Sequence, residues 1–228
     1  DLGEGRLAAT VLRGIVRFRR TRGTVLQAEM QRSSLLRMVH RVAGAVDARA
    51  PFRGGHQQHV AALARELAQG LGLGRKQVEA VRIGALIHDI GLLGCPVEIL
   101  SRPGGLMPAE TALLHAHPER GHRMLEEAAL PAEITEAVRQ HHERLDGSGY
   151  PDGLTGEAIG LSARIVAVAD LVEAMLSRRP HRRARGLERT MEELRDGRGR
   201  RYDADVVDVC LELMESQRLS LPAGYAGD

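Results

Sequence analysis

The feature that most constrains this chain is a helical apolar rhythm that no stretch of sustained apolar/polar alternation interrupts. His56, Val60, Leu63 and Leu67 follow one another at spacings of four, three and four. Val78, Val81 and Ala85 run up to His88-Asp89, and Gly91 closes that helix; Ile134 and Val138 run up to His141-His142. Leu161 to Leu176 is almost wholly apolar after Arg164 except for Asp170 and Glu173. A strand repeats its buried side every second residue, whereas these positions recur every three or four, as one side of a helix does. Aromatic residues make up only 2% of the chain, which also disfavours a sheet. The predicted fold class is all-α.

Breakers divide the pattern. Before Arg49-Ala-Pro-Phe-Arg-Gly-Gly55, a stripe of Leu12, Ile15, Val16, Val25, Leu26, Leu35, Leu36, Val39, Val42 and Val46 predicts a helical connector over 1–46, broken near Gly23. Its apolar side must bury against the domain that follows or against a second copy of itself, which would make a homodimer. The main domain is read as 47–215 and a C-terminal tail as 216–228. Within the domain, the Gly70–Gly74 stretch ends one helix. Pro108 and Pro118 open two more, the second with Glu119 in its favourable first turn. Thr190 with Glu193 has the form of a capping box, and Asp203 is placed to cap a last helix through Val206, Val209, Cys210 and Leu213. The chain begins at Asp1 rather than Met, which reads as a piece of a longer protein.

Bulk properties exclude several classes. Net charge is only +2, so neither DNA nor a membrane surface is an expected partner. The arginine runs Arg17–Arg22, Arg178–Arg185 and Arg198–Arg201 read first as solvated surface. No run of 18 apolar residues exists for a membrane span. Cys95 and Cys210 form neither a disulfide framework nor a thiolate metal site, and they fit a reducing cytoplasm.

Chemistry enters through the ten histidines. His56, His88, His141 and His142 stand at the edges of apolar helical patterns, and Asp170 sits inside Ile165-Val-Ala-Val-Ala-Asp-Leu-Val. A buried carboxylate costs several kcal/mol unless it is paired or binds a metal. Imidazole and carboxylate without thiolate suit iron, manganese or zinc. More ligands than one ion needs point to a two-metal site, of the kind that clamps a phosphoryl group.

His88-Asp89-Ile-Gly resembles the HD motif of the metal-dependent phosphohydrolases. His141-His-Glu-Arg-Leu-Asp-Gly-Ser-Gly-Tyr-Pro151 resembles the extended signature of the HD-GYP branch. His115-Ala-His-Pro-Glu119, Ala169-Asp-Leu-Val-Glu-Ala-Met175 and Arg178-Arg-Pro-His-Arg182 are similar to further segments of that branch, in the same order. The resemblance implies an HD-superfamily helical bundle, with a GYP loop-helix extension. It implies metal ligands His56, His88, Asp89, His117, His141, His142 and Asp170, with Asp89 bridging two divalent ions, iron or manganese. Asp89 and His88 would hold a metal-activated water as the nucleophile. Arg179 and Arg182 would hold substrate phosphates, a task suited to guanidinium forks. Gly149, Tyr150 and Pro151 would form the pocket wall, or simply a turn. The implied activity is hydrolysis of cyclic di-GMP to linear pGpG and on to GMP, in the bacterial cytoplasm, below an upstream sensor or receiver domain. The alternatives are a signalling module without catalysis, and a phosphohydrolase of another cyclic dinucleotide or nucleotide. His59, His115, His122 and His181 receive no role. Three departures matter. Leu92 stands where the branch commonly has a phosphate-binding lysine, expected at the rim of the site; its loss would cost about 2–4 kcal/mol of transition-state stabilisation, and Leu92→Lys would raise the rate. Phe52 stands where some members have a glutamate for a third metal, so two metals are expected. His181 replaces a tyrosine.

Overall fold

A helix that is apolar on almost every side has no surface to give to water. Leu161–Leu176 takes the central place this demands, with Ile165, Val166, Val168 and Ala169 fully buried. The computed structural model describes residues 25–49, 54–102, 104–128, 130–177 and 185–219. The described residues form ten α-helices. They are α1 Val25–Arg49, α2 His56–Gly70, α3 Arg75–Ile87, α4 Val97–Leu100, α5 Pro108–His115, α6 His117–Leu125, α7 Ala132–Gln140, α8 Leu161–Leu176, α9 Leu187–Gly197 and α10 Ala204–Glu215. A 3-10 turn, Ile90–Gly94, follows α3. Isolated bridges join Asp146 to Thr155 and Arg198 to Tyr202, and no strand forms among the described residues, so the fold is all-α.

Helix α8 packs against α2, α3, α7, α9 and α10, while α3 lies between α2 and α7. Leu63 and Leu67 of α2, Leu86 of α3 and Leu125 of α6 are at most 2% exposed. Each such side chain contributes about 1.5–3 kcal/mol against an extended unfolded chain, as an upper bound. Gly84 lets α3 and α7 approach closely, because a methyl there would lie 2.7 Å from the Cβ of Ala137. The C-terminal part of α1 turns Val39, Ala43 and Val46 onto the domain, where α1 meets α2, α3 and the 3-10 turn. Of the two destinations open to the connector's stripe, this part of it takes the chain's own core. Leu12, Ile15, Val16 and the break at Gly23 lie outside the described residues, as do the Arg17–Arg22 run and most of the C-terminal tail.

Several helix ends follow the sequence. Pro108 and Pro118 stand in the first turns of α5 and α6. Asp203 caps α10, its carboxylate accepting from the amides of Asp205 and Val206. The capping box at Thr190 is not there. Helix α9 begins at Leu187, and the fully buried Thr190 hydroxyl donates to the carbonyl of Gly186 inside the first turn. Glu193 pairs with Arg201 instead. Burial of Thr190 won over its capping preference. None of the described helices is long and apolar enough to cross a membrane.

Candidate metal centre

All seven histidine and aspartate positions converge at the ends of helices around α8. His56 opens α2, His88 and Asp89 follow the end of α3, His117 opens α6, His141 and His142 follow α7, and Asp170 projects from α8. They form two groups, Asp89 with His117, His141 and His142, and His56 with His88 and Asp170. Within each group the ligand-capable atoms all lie within 4.8 Å of one another. Asp89, 3% exposed, stands between the groups. Its Oδ1 is 3.1 Å from His117 Nε2 and 3.8 Å from His141 Nε2, while its Oδ2 is 3.5 Å from His88 Nε2 and 3.7 Å from His56 Nε2. Asp170 Oδ1 lies 3.4 Å from His56 Nε2.

Backbone carbonyls set the ring orientations. His88 Nδ1 is 2.7 Å from the Ala85 carbonyl, His117 Nδ1 2.9 Å from that of Leu114, and His141 Nδ1 3.1 Å from that of Val138. A carbonyl can only accept, so each Nδ1 carries the proton, and in a neutral ring Nε2 turns a lone pair inward. With both rings neutral, His117 Nε2 and His141 Nε2 face each other at 3.2 Å with no proton between them. Protonation is a poor remedy, because burial and then the neighbouring imidazoles push His141 far below the usual histidine range. Burial likewise brings His142 down to about 3, against the opposing pull of Asp170. Burial alone would raise Asp170, but His56, His88 and His142 together hold it below its ordinary value. Converging lone pairs, beside an Asp170 carboxylate held below its ordinary range, fit divalent transition metals, and the donor set lacks the thiolates that would select otherwise.

The loop after α7 is tied to the site. The buried carboxylate of Glu143 accepts from the amides of Asp152 at 2.7 Å and Leu154 at 3.0 Å. Gly149 permits the return, since a methyl there would sit 2.5 Å from the Arg144 nitrogen and from the His142 carbonyl oxygen. The loop thereby lays Tyr150 between two imidazoles, His142 at a centroid distance of 4.7 Å and His115 at 4.0 Å. Tyr150 therefore meets a candidate ligand directly. His115, given no role from sequence, stacks on its other face.

Other supports were also missed from sequence. Gln57 Nε2 donates to Asp89 Oδ2 at 3.2 Å. Asp47 of α1 accepts from the amides of Gly55 and Gln57, so it caps the helix that His56 opens. Glu173 Oε2 is 2.6 Å from His56 Nδ1. The available signal was adjacency: Gln57 and Glu143 each follow a candidate ligand, and Glu173 shared the apolar helix with Asp170. Arg179, Arg182, His181 and Phe52 lie outside the described residues.

Leu92 departs from its expected place at the rim, because it is 3% exposed. It sits in the 3-10 turn, whose end is held by Arg49 donating to the Cys95 carbonyl and Arg120 donating to that of Gly94, both at 2.8 Å. A buried ammonium costs several kcal/mol unless it reaches water or a partner. Even about 2 kcal/mol lowers Tm by roughly 4–8 °C in a domain of this size. Leu92→Lys is therefore expected to lower the melting temperature of the metal-free chain by that amount. An unchanged melt with faster hydrolysis would restore the rim position.

The match to the HD domain family model covers residues 42–206. The chain is 42% identical over 156 residues to the cyclic di-GMP phosphodiesterase response regulator RpfG of Xanthomonas campestris, covering 67% of this chain and 40% of that protein. It is 40% identical over 169 residues to 3'3'-cGAMP-specific phosphodiesterase 1 of Vibrio cholerae, covering 74% and 39%. The chain thus spans about two fifths of the length of these curated relatives. Among solved structures, the HDG"Y"P protein Bd1817 of Bdellovibrio bacteriovorus superposes with a TM-score of 0.61 at 16% identity, covering 93% of this chain and 70% of that one, which speaks for the fold. With the family match spanning most of the chain, the HD pair at 88–89 and the GYP block at 141–151, the chain belongs to the HD domain family, in its HD-GYP branch.

Proposed function

We propose that this chain is a phosphodiesterase acting on cyclic dinucleotides, with cyclic di-GMP as the leading substrate, opened to linear pGpG and on to GMP. The observation that carries the reading is Asp89, whose two carboxylate oxygens face two separate groups of inward-turned donors. Asp89, His117, His141 and His142 would hold one divalent ion and His56, His88 and Asp170 the other, with Asp89 shared; iron or manganese suits the donor set. When bound, such ions supply positive charge against a phosphoryl group and lower the pKa of a water. The chain's own part is to aim the imidazoles and fix their tautomers, through the Ala85, Leu114 and Val138 carbonyls, and to fix His142 against Tyr150. Arg179 and Arg182 remain proposed phosphate holders, and Gly149, Tyr150 and Pro151 a proposed wall. The catalytic unit is read as 47–215, placed in the cytoplasm, with an upstream input domain and pairing through the connector as proposed partners.

One further reading of the substrate has direct support. The relative named for 3'3'-cGAMP is nearly as similar as the one named for cyclic di-GMP, at 40% against 42% identity. Two measurements test the proposal. Elemental analysis of anaerobically purified protein is expected to give about two transition-metal ions per chain; none under metal-replete conditions, or a steady three, refutes the binuclear site. Metal-loaded protein is then offered cyclic di-GMP, 3'3'-cGAMP and cyclic di-AMP, with products separated by chromatography. Ring opening of the first is expected, preference for the second would reassign the substrate, and failure to open any ring would leave a signalling module.

A further inference from the structure

The five candidate histidine ligands are not oriented alike. His88, His117 and His141 are each held through Nδ1 by a backbone carbonyl three residues earlier, from Ala85, Leu114 and Val138. His142 is held by its ring, against Tyr150. His56 opens α2 after the Gly54–Gly55 turn, so its own helix offers no preceding turn to bond to. Its Nδ1 meets Glu173 Oε2 at 2.6 Å instead, across 117 positions of sequence. Asp170, three residues before Glu173, shares that side of α8 and lies 3.4 Å from Nε2 of the same ring. One helix therefore grips both edges of one imidazole. Glu173 is 3% exposed, and its other oxygen accepts from the Ser177 hydroxyl, so it is engaged as a brace and not open as a further ligand.

We infer that Glu173 is a positioning residue for His56: its carboxylate fixes the Nδ1–H tautomer and ring angle and raises the donor strength of Nε2, so that the group of His56, His88 and Asp170 depends on it while the group of His117, His141 and His142 does not. The inference rests on the binuclear reading above. A carbonyl brace is a neutral dipole, whereas a carboxylate brings a full negative charge into a site only a few per cent exposed, where it acts strongly on the ring it touches. The two groups are thus built with unequal supports.

The test is calorimetric titration of manganous ion into the metal-free chain, for wild type, Glu173→Gln and Glu173→Ala. Glutamine keeps the volume and an acceptor oxygen but removes the charge; alanine removes both. Wild type should show two sites. Each variant should keep one site at its wild-type affinity and weaken the other by roughly 10- to 100-fold, alanine more than glutamine. Melting of the metal-free chains runs alongside. Variants that titrate as wild type, with two sites present, overturn the inference and leave the binuclear reading standing. Equal weakening of both sites with a lowered metal-free melting temperature also overturns it, by making Glu173 a general structural residue. A wild-type chain that takes no metal overturns both.

Discussion

Asp89→Asn is expected to yield a folded chain that retains neither metal nor measurable hydrolysis. The substitution keeps the shape and the acceptor for Gln57, 3.2 Å away, and removes the carboxylate that faces both groups of donors. Each group then loses its shared carboxylate: one is left with three imidazoles, the other with two imidazoles and Asp170. Two bound divalent ions would bring about four positive charges together, and loss of the shared negative charge would leave their repulsion less offset as well as removing a ligand. Several kcal/mol of phosphoryl charge stabilisation go with the metals, which at about 1.4 kcal/mol per tenfold is a loss of roughly a thousandfold or more in rate. Stability should move the other way. In the metal-free chain Asp89 is a carboxyl group at 3% exposure, and a neutral amide of the same shape costs less to bury than an ionised carboxylate would. The melting temperature of metal-free Asp89→Asn should therefore equal or exceed that of wild type. Asp208→Asn, which breaks an exposed pair with Arg198, serves as the surface control and should change none of these readouts. Retention of two ions by Asp89→Asn would refute the shared-ligand assignment, whatever the rate.

What the sequence made legible here, and what it hid, follows from how far each feature depends on the third dimension. His56, His88, His141, His142 and Asp170 stood out because each interrupts or ends an apolar helical pattern, a one-dimensional signal, whereas Asp89 and His117 were named through the motif resemblance, and the structure brings all seven together. The helix starts at Pro108, Pro118 and Asp203 rest on local backbone chemistry and were equally readable. Thr190 and Glu193 satisfied the same local rules and still misled, because a buried contact decided where α9 begins. The braces were hidden for a different reason. Whether His56 needs a carboxylate depends on its having no carbonyl behind it in its own helix, and which residue supplies one depends on how α8 crosses α2. Glu143 could equally have been read as a ligand, being polar beside two histidines, until its two amide partners were seen. Leu92 was placed by analogy with lysine-bearing relatives, and an apolar side chain in that position goes inward.

Gly91→Ala is expected to be among the most damaging single-methyl changes in the chain, although glycine 91 touches no ligand by side chain. The turn that carries it runs directly beneath the start of α6. A methyl at 91 would fall on the carbonyl oxygen of His117, 2.8 Å from its carbonyl carbon and 2.7 Å from the amide nitrogen of Gly121. These are backbone atoms, so no side chain can swing aside. Gly121 faces the same crossing, where a methyl would lie 3.1 Å from Ile90 Cγ2 and 3.2 Å from the Gly91 nitrogen, and the two glycines together set the approach of turn and helix. Relief must come from shifting α6 as a body, and α6 begins at His117. A displacement of even about 1 Å would carry His117 Nε2 away from Asp89 Oδ1, now 3.1 Å distant, and from His141 Nε2 at 3.2 Å. Overpacking of this kind costs about 1–3 kcal/mol where side chains can adjust, and more where only backbone can. At roughly 2–4 °C per kcal/mol, the melting temperature should fall by at least about 6 °C. The group containing His117 should lose its ion before the group containing His56, since only the former moves with α6. Manganese titration and a thermal melt on the same variant check both parts. A melt within about 2 °C of wild type with both ions retained would show that the crossing of the turn over α6 is looser than the glycine spacing implies.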